Sequence, residues 1–460
     1  MLLWVVALAV RWPVSLSMGD EIGYVGQARL LLEGHIMPLD TTPGNWVPTT
    51  HGLIPKYPLF FPLLLAPVLA LSPILLFATG VVAALAMTWV AGRVLASWGR
   101  PPFWALMFLA HPTVVILARA VMVDVLLTAL AVGAWQALRR GRPPIAALLL
   151  ALTVLAKPTG IPIVAALLVG EALRRRSSLL VRDQATIARL AWGAAGLGTG
   201  LALTVVSNFL TTGSFSSPYG PSLRYLPTPQ FWPLYFPATA PVHLRTLLLM
   251  PPLLVLGAWP LARRREIGLL LTIVGFTLMM CFYFFVDRGP NLLETLVLAP
   301  RLILPVVAFL LLGYADGLAA WVARRQRLGS VAALVLVTLP ALVALPVSIR
   351  HRRWQAPAGA ALQAADEAIS RRGENELGVG PNAAKVALLY RGRTVEPLPG
   401  AAAPGVILCS TRSASYRDPA EGESCAREGY DDQPLQAGFH LLTRHPSRAA
   451  VRPHEEPSAR

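Results

Sequence analysis

Between residues 74 and 348 the sequence is a succession of apolar runs broken by short arginine clusters, and this alternation decides which solvent the chain folds in. Runs of roughly 20 apolar residues match the ~30 Å hydrocarbon core of a bilayer. Backbone polar groups at that depth have to be satisfied within helices. We place spans at 74–96, 103–119, 124–138, 145–157, 160–173, 189–207, 244–262, 267–286, 302–322 and 328–348. An uncleaved first helix over Leu2–Met18, interrupted by Arg11 near its outer end, brings the total to about eleven. It lacks the basic start and small-residue cleavage site of a signal peptide. With 55% of residues hydrophobic and 14% charged, the composition excludes an ordinary soluble domain.

Charge gives the orientation. The formal charge is +16, and the arginines bunch at 139–142, 174–176, 263–265 and 324–327. Counting spans puts all four clusters on one face, which is then cytoplasmic. The same pattern excludes a nucleic-acid partner, because the positive charge is spent between spans rather than on one patch. Loops 18–57, 119–124, 208–243 and 287–301 fall outside, with the C-terminus, and the N-terminus is cytoplasmic. Arg350, Arg352 and Arg353 form the one dissenting cluster. Prolines 58, 62 and 67 mark the apolar stretch Tyr57–Leu71 as an interfacial or half-buried helix rather than a span.

From about residue 350 the composition changes. Ala360–Arg371 reads as an amphipathic helix, and Val386–Tyr390, Val406–Cys409 and Phe439–Leu442 read as strands. The expected layout is a membrane domain over 1–349, a small extracytoplasmic α/β domain over 350–445 and a disordered tail over 446–460. Cys409 and Cys425 form a disulfide if that domain lies outside the cell. Cys281, inside an apolar run, packs.

The polar residues at the outer edge are where chemistry belongs. Asp20 and Glu21 open the first loop, and a carboxylate pair there is a general base, a metal ligand or a solvated surface. Arg119 and Asp124 flank the boundary of two spans, where an ionised group costs up to roughly 2.5–3.5 kcal/mol, and they suit a mutual ion pair. Lys157 and Arg301 sit at outer boundaries too. Lysine occurs only at Lys56, Lys157 and Lys385. Carboxylates and cations converging on one membrane face suit an anionic, lipid-linked substrate handled by an acid/base residue. His51 and His243 read as surface histidines, and His111 as a packed, hydrogen-bonded core histidine.

Asp20-Glu21 with Tyr24, Lys56-Tyr57-Pro58, Arg119…Asp124 and Lys157-Pro158-Thr159-Gly160 together resemble the GT-C superfamily of integral-membrane glycosyltransferases. The nearer branch holds protein O-mannosyltransferases and the bacterial lipid A aminoarabinose transferase. Asn208 through Gly213-Ser214 to Tyr219 is similar to a further motif, as is Arg301…Pro305, although Leu302 replaces an aromatic. The resemblance covers about residues 5–345. It implies an all-α polytopic membrane protein, GT-C-like, in the bacterial inner (plasma) membrane, with the α/β domain appended and the active site in loop 18–57. An acceptor hydroxyl then attacks the anomeric carbon of a sugar carried on polyprenyl phosphate, with inversion. By the resemblance Asp20 is the general base, and Asp124 is a second catalytic carboxylate that shapes the acceptor site or orients Arg119. Lys56 and Arg301 bind phosphate, and Glu21, Tyr24, Tyr57, Arg119 and Lys157 complete the substrate site. The lipid A branch has a glutamate just before the lysine for metal; Pro55 stands there instead, so neither a metal nor a cofactor is expected.

The implied partners are a polyprenyl-phosphate-linked hexose or pentose, an acceptor protein, lipid or envelope glycan, and membrane lipids. A non-enzymatic lipid or glycan transporter is the alternative reading, but transporters concentrate charge near the midplane and show inverted repeats. A structural membrane subunit, with the α/β domain as a docking module, is a third.

Overall fold

Proline breaks two of the apolar runs between residues 74 and 348, and the others form continuous helices. The computed structural model describes residues 4, 12–38, 43–49, 52–213, 231–289, 291–352, 355–396, 404–411 and 424–445. Arg11, His51, Ser214, Tyr219 and the tail from 446 lie outside the described residues. Trp4 is helical, and the first helix whose bounds fall within the described residues, α1, is Gly19–Leu32. An antiparallel hairpin follows, β1 (Trp46–Thr49) on β2 (Gly52–Pro55), with Trp46 opposite Pro55. Next come α2 (Phe60–Leu71), α3 (Ala78–Ser97), α4 (Val123–Arg139), α5 (Pro143–Ala156), α6 (Gly160–Arg174) and α7 (Gln184–Thr212). They are followed by α8 (Phe236–Leu249), α9 (Ile267–Cys281), α10 (Leu292–Leu298), α11 (Leu304–Arg324) and α12 (Gln326–Arg352).

Four helical stretches among the described residues are long and apolar enough to cross a membrane: Pro73–Ser97, Gln184–Thr212, Leu292–Arg324 and Gly329–Val347. Helix α2 has 12 residues and so spans about 18 Å, too short to cross. Two expected spans are broken. The run 103–119 divides into Leu106–Ala110 and Pro112–Leu117. Pro112 brings no N–H and holds His111 extended, at φ −65° and ψ 126°. The run 244–262 breaks after α8 at Pro251-Pro252, and a short helix resumes at Ala258–Arg263.

Two compact units form: Met1–Pro13, Gly23–Pro38 and Trp46–Arg350 make the first, and Val14–Ile22, Leu39–Asn45 and His351–Arg460 the second. The second therefore draws on two short N-terminal segments as well as the C-terminal part.

At the heart of the first unit is α11, apolar on every side and almost wholly buried. A Cβ on Gly313 would sit 2.0 Å from the Gly257 carbonyl oxygen, and one on Gly257 2.1 Å from that of Leu310. Only glycine admits this backbone approach, the usual means of tight helix packing in lipid. Helices α4 and α5 pack as an antiparallel hairpin, and α7 covers α5. The arginine clusters meet buried carboxylates. Arg139 pairs with Glu266 at 2.8 Å, Arg174 and Arg175 with Glu171 at 2.6 Å, and Arg264 and Arg100 with Asp316 at 2.7 Å.

The second unit is an α/β layer. Helix α13 (Gln355–Arg372) buries Ala358, Ala361, Ala365, Ala368 and Ile369, the i, i+3, i+4 face the sequence shows. It packs on a five-stranded sheet of order β4-β3-β5-β7-β6. The strands are β3 (Glu376–Val379), β4 (Arg393–Val395), β5 (Val406–Ser410), β6 (Tyr430–Pro434) and β7 (Phe439–Arg444). β4, β3 and β5 run parallel, and β7 is antiparallel to both β5 and β6. Val386–Tyr390 is not a strand. A helical turn, Ala384–Ala387, occupies its start, because the apolar residues there serve the β3-to-β4 crossover. Cys409 and Cys425 are joined as a disulfide, and Cys281 is buried and free.

Candidate active site

In the first unit, Asp124 lies in the first turn of α4 and is 2% exposed. There the helix dipole favours a negative charge. Lys157 follows the last residue of α5; Pro158 stops that helix and leaves Lys157 extended, at φ −162° and ψ 140°. Antiparallel packing sets the start of α4 beside the end of α5, and Lys157 Nζ reaches Asp124 Oδ1 at 2.9 Å. The expected Arg119–Asp124 pair is therefore replaced by Lys157–Asp124. Arg119 lies five residues before Asp124, in a turn ahead of α4, and is itself buried at 8% exposure.

Arg301 occupies a 3-10 turn, Ala299–Ile303, that joins α10 to α11. Its Nε lies 2.7 Å from Oδ2 of Asp287, with both side chains at most 10% exposed. Asp287 was not singled out in the sequence. The available signal was a carboxylate ending one apolar run on the same predicted outer loop as Arg301. The short helix Pro112–Leu117 ties these features together, since Thr113 Oγ1 donates to the Val297 carbonyl at 2.7 Å. Arg119 follows that helix, and Arg301 follows Val297 by one turn. Asp124, Lys157, Arg119, Asp287 and Arg301 thus belong to one set of packed elements.

A second group is aromatic. Tyr24 of α1 meets Tyr57 at a tilt of 35° with ring centres 4.4 Å apart and meets Phe61 edge-on at 5.0 Å. Both tyrosines are under 5% exposed. Lys56, directly after β2, holds its ammonium 5.5 Å from the centre of the Tyr57 ring. The hairpin and this aromatic cluster flank Lys56 on either side.

Asp20 and Glu21 belong to the second unit. Asp20 is partly exposed in the first turn of α1. Glu21 is fully buried, and its Oε2 accepts from Ser17 N at 2.5 Å, Ser17 Oγ at 3.1 Å and Met18 N at 2.6 Å. A glutamate reaching back to the residue before the helix is half of a capping box, so Glu21 starts α1. Lys385 is also buried in this unit, where desolvation lowers its pKa to about 8 against the opposing pull of Glu21.

His111 is buried, with Nε2 3.1 Å from the Met250 carbonyl oxygen, as a core histidine should be. His243 is not on the surface: it is 0% exposed, because its helix α8 packs on α9. Asn208 is buried near the end of α7, which Gly213 closes in the left-handed conformation at φ 66°. Among the described residues no three His, Cys, Asp or Glu side chains gather as a metal-ligand set.

No family model and no curated protein sequence matches the chain. Solved structures do. ArnT from Cupriavidus metallidurans bound to undecaprenyl phosphate aligns with a TM-score of 0.59 and 15% identity, over 98% of this chain and 99% of that one. This chain has the ArnT fold. The apo state of ArnT aligns at 0.53 and 16% identity, over 89% of this chain and 92% of that one. ArnT and this chain therefore share a fold along nearly their whole length, with the C-terminal α/β part included in the alignment.

Proposed function

We propose that the protein is an integral-membrane glycosyltransferase that moves a sugar from a polyprenyl-phosphate donor to an acceptor hydroxyl at the outer membrane face. The observation that carries this reading is the end-to-end likeness to a structure that holds undecaprenyl phosphate. The buried cations of the first unit add chemical support. A lipid phosphate leaving group gains negative charge as the glycosidic bond breaks, and fixed cations in a water-poor site stabilise it.

In the proposed mechanism Lys56 and Arg301 bind the donor phosphate, with Asp287 orienting the Arg301 guanidinium. Lys157 fixes Asp124, which shapes the acceptor site beside Arg119. Tyr24 and Tyr57 form an apolar wall that seats Lys56. Asp20 takes the proton of the acceptor hydroxyl as its oxygen attacks the anomeric carbon. Glu21 holds the helix start that presents Asp20. The bond from the anomeric carbon to the phosphate oxygen breaks on the opposite face, so the anomeric configuration inverts and polyprenyl phosphate departs with the electron pair on that oxygen. The reaction so drawn requires no metal or cofactor. The membrane is the bacterial inner membrane, with the arginine clusters cytoplasmic and the disulfide-bearing unit outside, where thiols oxidise.

Binding of undecaprenyl phosphate to the purified protein tests the donor site. Wild type should bind it, and Arg301→Met and Lys56→Met should each weaken it about tenfold or more, the loss of one charged hydrogen bond. Unchanged binding in both variants contradicts the assignment. Lipid flipping in liposomes without sugar release would favour the transporter.

A further inference from the structure

The second unit contains a cavity of about 460 Å³ that the proposed transfer does not use. It opens at the carboxyl ends of the three parallel strands. Gly380, Pro381 and Asn382 follow β3, Glu396 follows β4, and Cys409 lies near the end of β5. From β3 the chain moves to β4 on one side, and from β5 it moves to β6 and β7 on the other. Neighbouring parallel strands whose connections diverge leave a crevice between them, and open α/β sheets take their ligands there.

The walls are fixed. A Cβ on Gly380 would sit 2.4 Å from the Cβ of Cys409, so glycine is what lets the two strand ends close to this width. Asn382 adopts the left-handed conformation at φ 60° and donates from Nδ2 to the Ser410 carbonyl at 3.3 Å. The Cys409–Cys425 bond pins the opposite wall, which carries Ser424 and Arg427, to β5. Glu396 stands at the open mouth, yet the walls withdraw its carboxyl from water and push its pKa up. Ile407 and Leu442 supply an apolar patch.

We propose that this cavity is a saccharide-binding site, in which Glu396 accepts and Arg427 and Ser424 donate hydrogen bonds to ring hydroxyls while Ile407 and Leu442 meet the C–H face. The size lies within the roughly 300–1,000 Å³ of small-molecule sites. One carboxylate and one guanidinium leave the lining without net charge, so a neutral polyol fits where Glu396 would repel a phosphate. Hydroxyls both donate and accept, and this lining offers both partners. That the bound saccharide belongs to the acceptor of the transfer rests on the function proposed above; the binding itself does not.

The test uses full-length protein in lipid nanodiscs and saturation-transfer NMR with methyl glycosides of glucose, galactose, mannose and arabinose. At least one glycoside should receive saturation from wild type. Glu396→Gln, which keeps the shape, and Ala426→Phe, which fills the mouth from an exposed position, should each weaken it about tenfold. Retention of the Cys409–Cys425 bond in non-reducing mass spectra verifies that both variants fold. No glycoside signal from a preparation that still binds undecaprenyl phosphate overturns the cavity assignment and leaves the donor reading standing. Equal signals from wild type and both variants overturn it too. Glycoside binding in protein that does not bind the lipid upholds the cavity and sinks the donor reading.

Discussion

Lys157 and Asp124 stand at opposite ends of two antiparallel helices and meet at 2.9 Å, the lysine at the end of α5 and the carboxylate in the first turn of α4. Their side chains are 20% and 3% exposed. Removing one partner of a buried pair strands the other charge, at a cost of roughly 3–5 kcal/mol, whereas removing both is close to neutral. Lys157→Met alone should therefore lower the melting temperature in detergent sharply, and Lys157→Met with Asp124→Leu should recover most of it. Transfer should stay lost in the double variant. A stable, fully active double variant would reduce the pair to scaffolding.

Asp287 acts through Arg301. Asp287→Asn keeps the size of the side chain but removes the negative charge that faces the guanidinium. Donor KM should rise several-fold with kcat changed less, since binding of phosphate is what loosens. If kcat fell and donor KM held, Asp287 would be touching the reaction itself.

Glu21 is expected to serve the helix start rather than the substrate. Glu21→Ala removes an acceptor for two backbone N–H groups, worth on the order of 1 kcal/mol for a cap. Thermal unfolding should shift downward while donor KM stays put. A change in KM without loss of stability would return Glu21 to the binding site.

Lys385 makes the second unit pH-sensitive. Its folded pKa of about 8 lies below the ordinary 10.5, so the folded state holds this proton less tightly than the unfolded chain. Below about pH 8 both states are protonated and the burial cost, about 3 kcal/mol, is fully felt. Between about 8 and 10.5 the unfolded chain binds more protons, so stability rises with pH and the cost fades. Hydrogen exchange at the amides of β5 and β7, corrected for intrinsic rates, should show greater protection at pH 9.5 than at 7.5. Lys385→Met should flatten that rise, and an unaltered rise in the variant would assign it to another group.

Much of this architecture can be read from residues because apolar burial leaves a periodic mark. The runs that became α3, α7 and α11 and the strands at Val406 and Phe439 are all buried or lipid-facing and carry that mark. β6 does not: Tyr430–Pro434 is an exposed edge strand with no apolar alternation. Pro112 and Pro251 broke two runs that hydropathy alone joins, since mean hydropathy is blind to a missing N–H. The site was legible as residue types but not as partners. Lys157–Asp124 and Arg301–Asp287 depend on which helix ends pack together, and that is a property of topology rather than spacing.

Turnover of a lipid-linked sugar is the most direct measurement of all. Purified protein should release polyprenyl phosphate from one member of a radiolabelled panel of polyprenyl-phosphate hexoses and pentoses when a hydroxyl acceptor is present. Asp20→Asn should abolish that release while leaving lipid binding intact. Release at the wild-type rate from Asp20→Asn would remove Asp20 as the base, and no release from any donor with any acceptor would contradict the glycosyltransferase account.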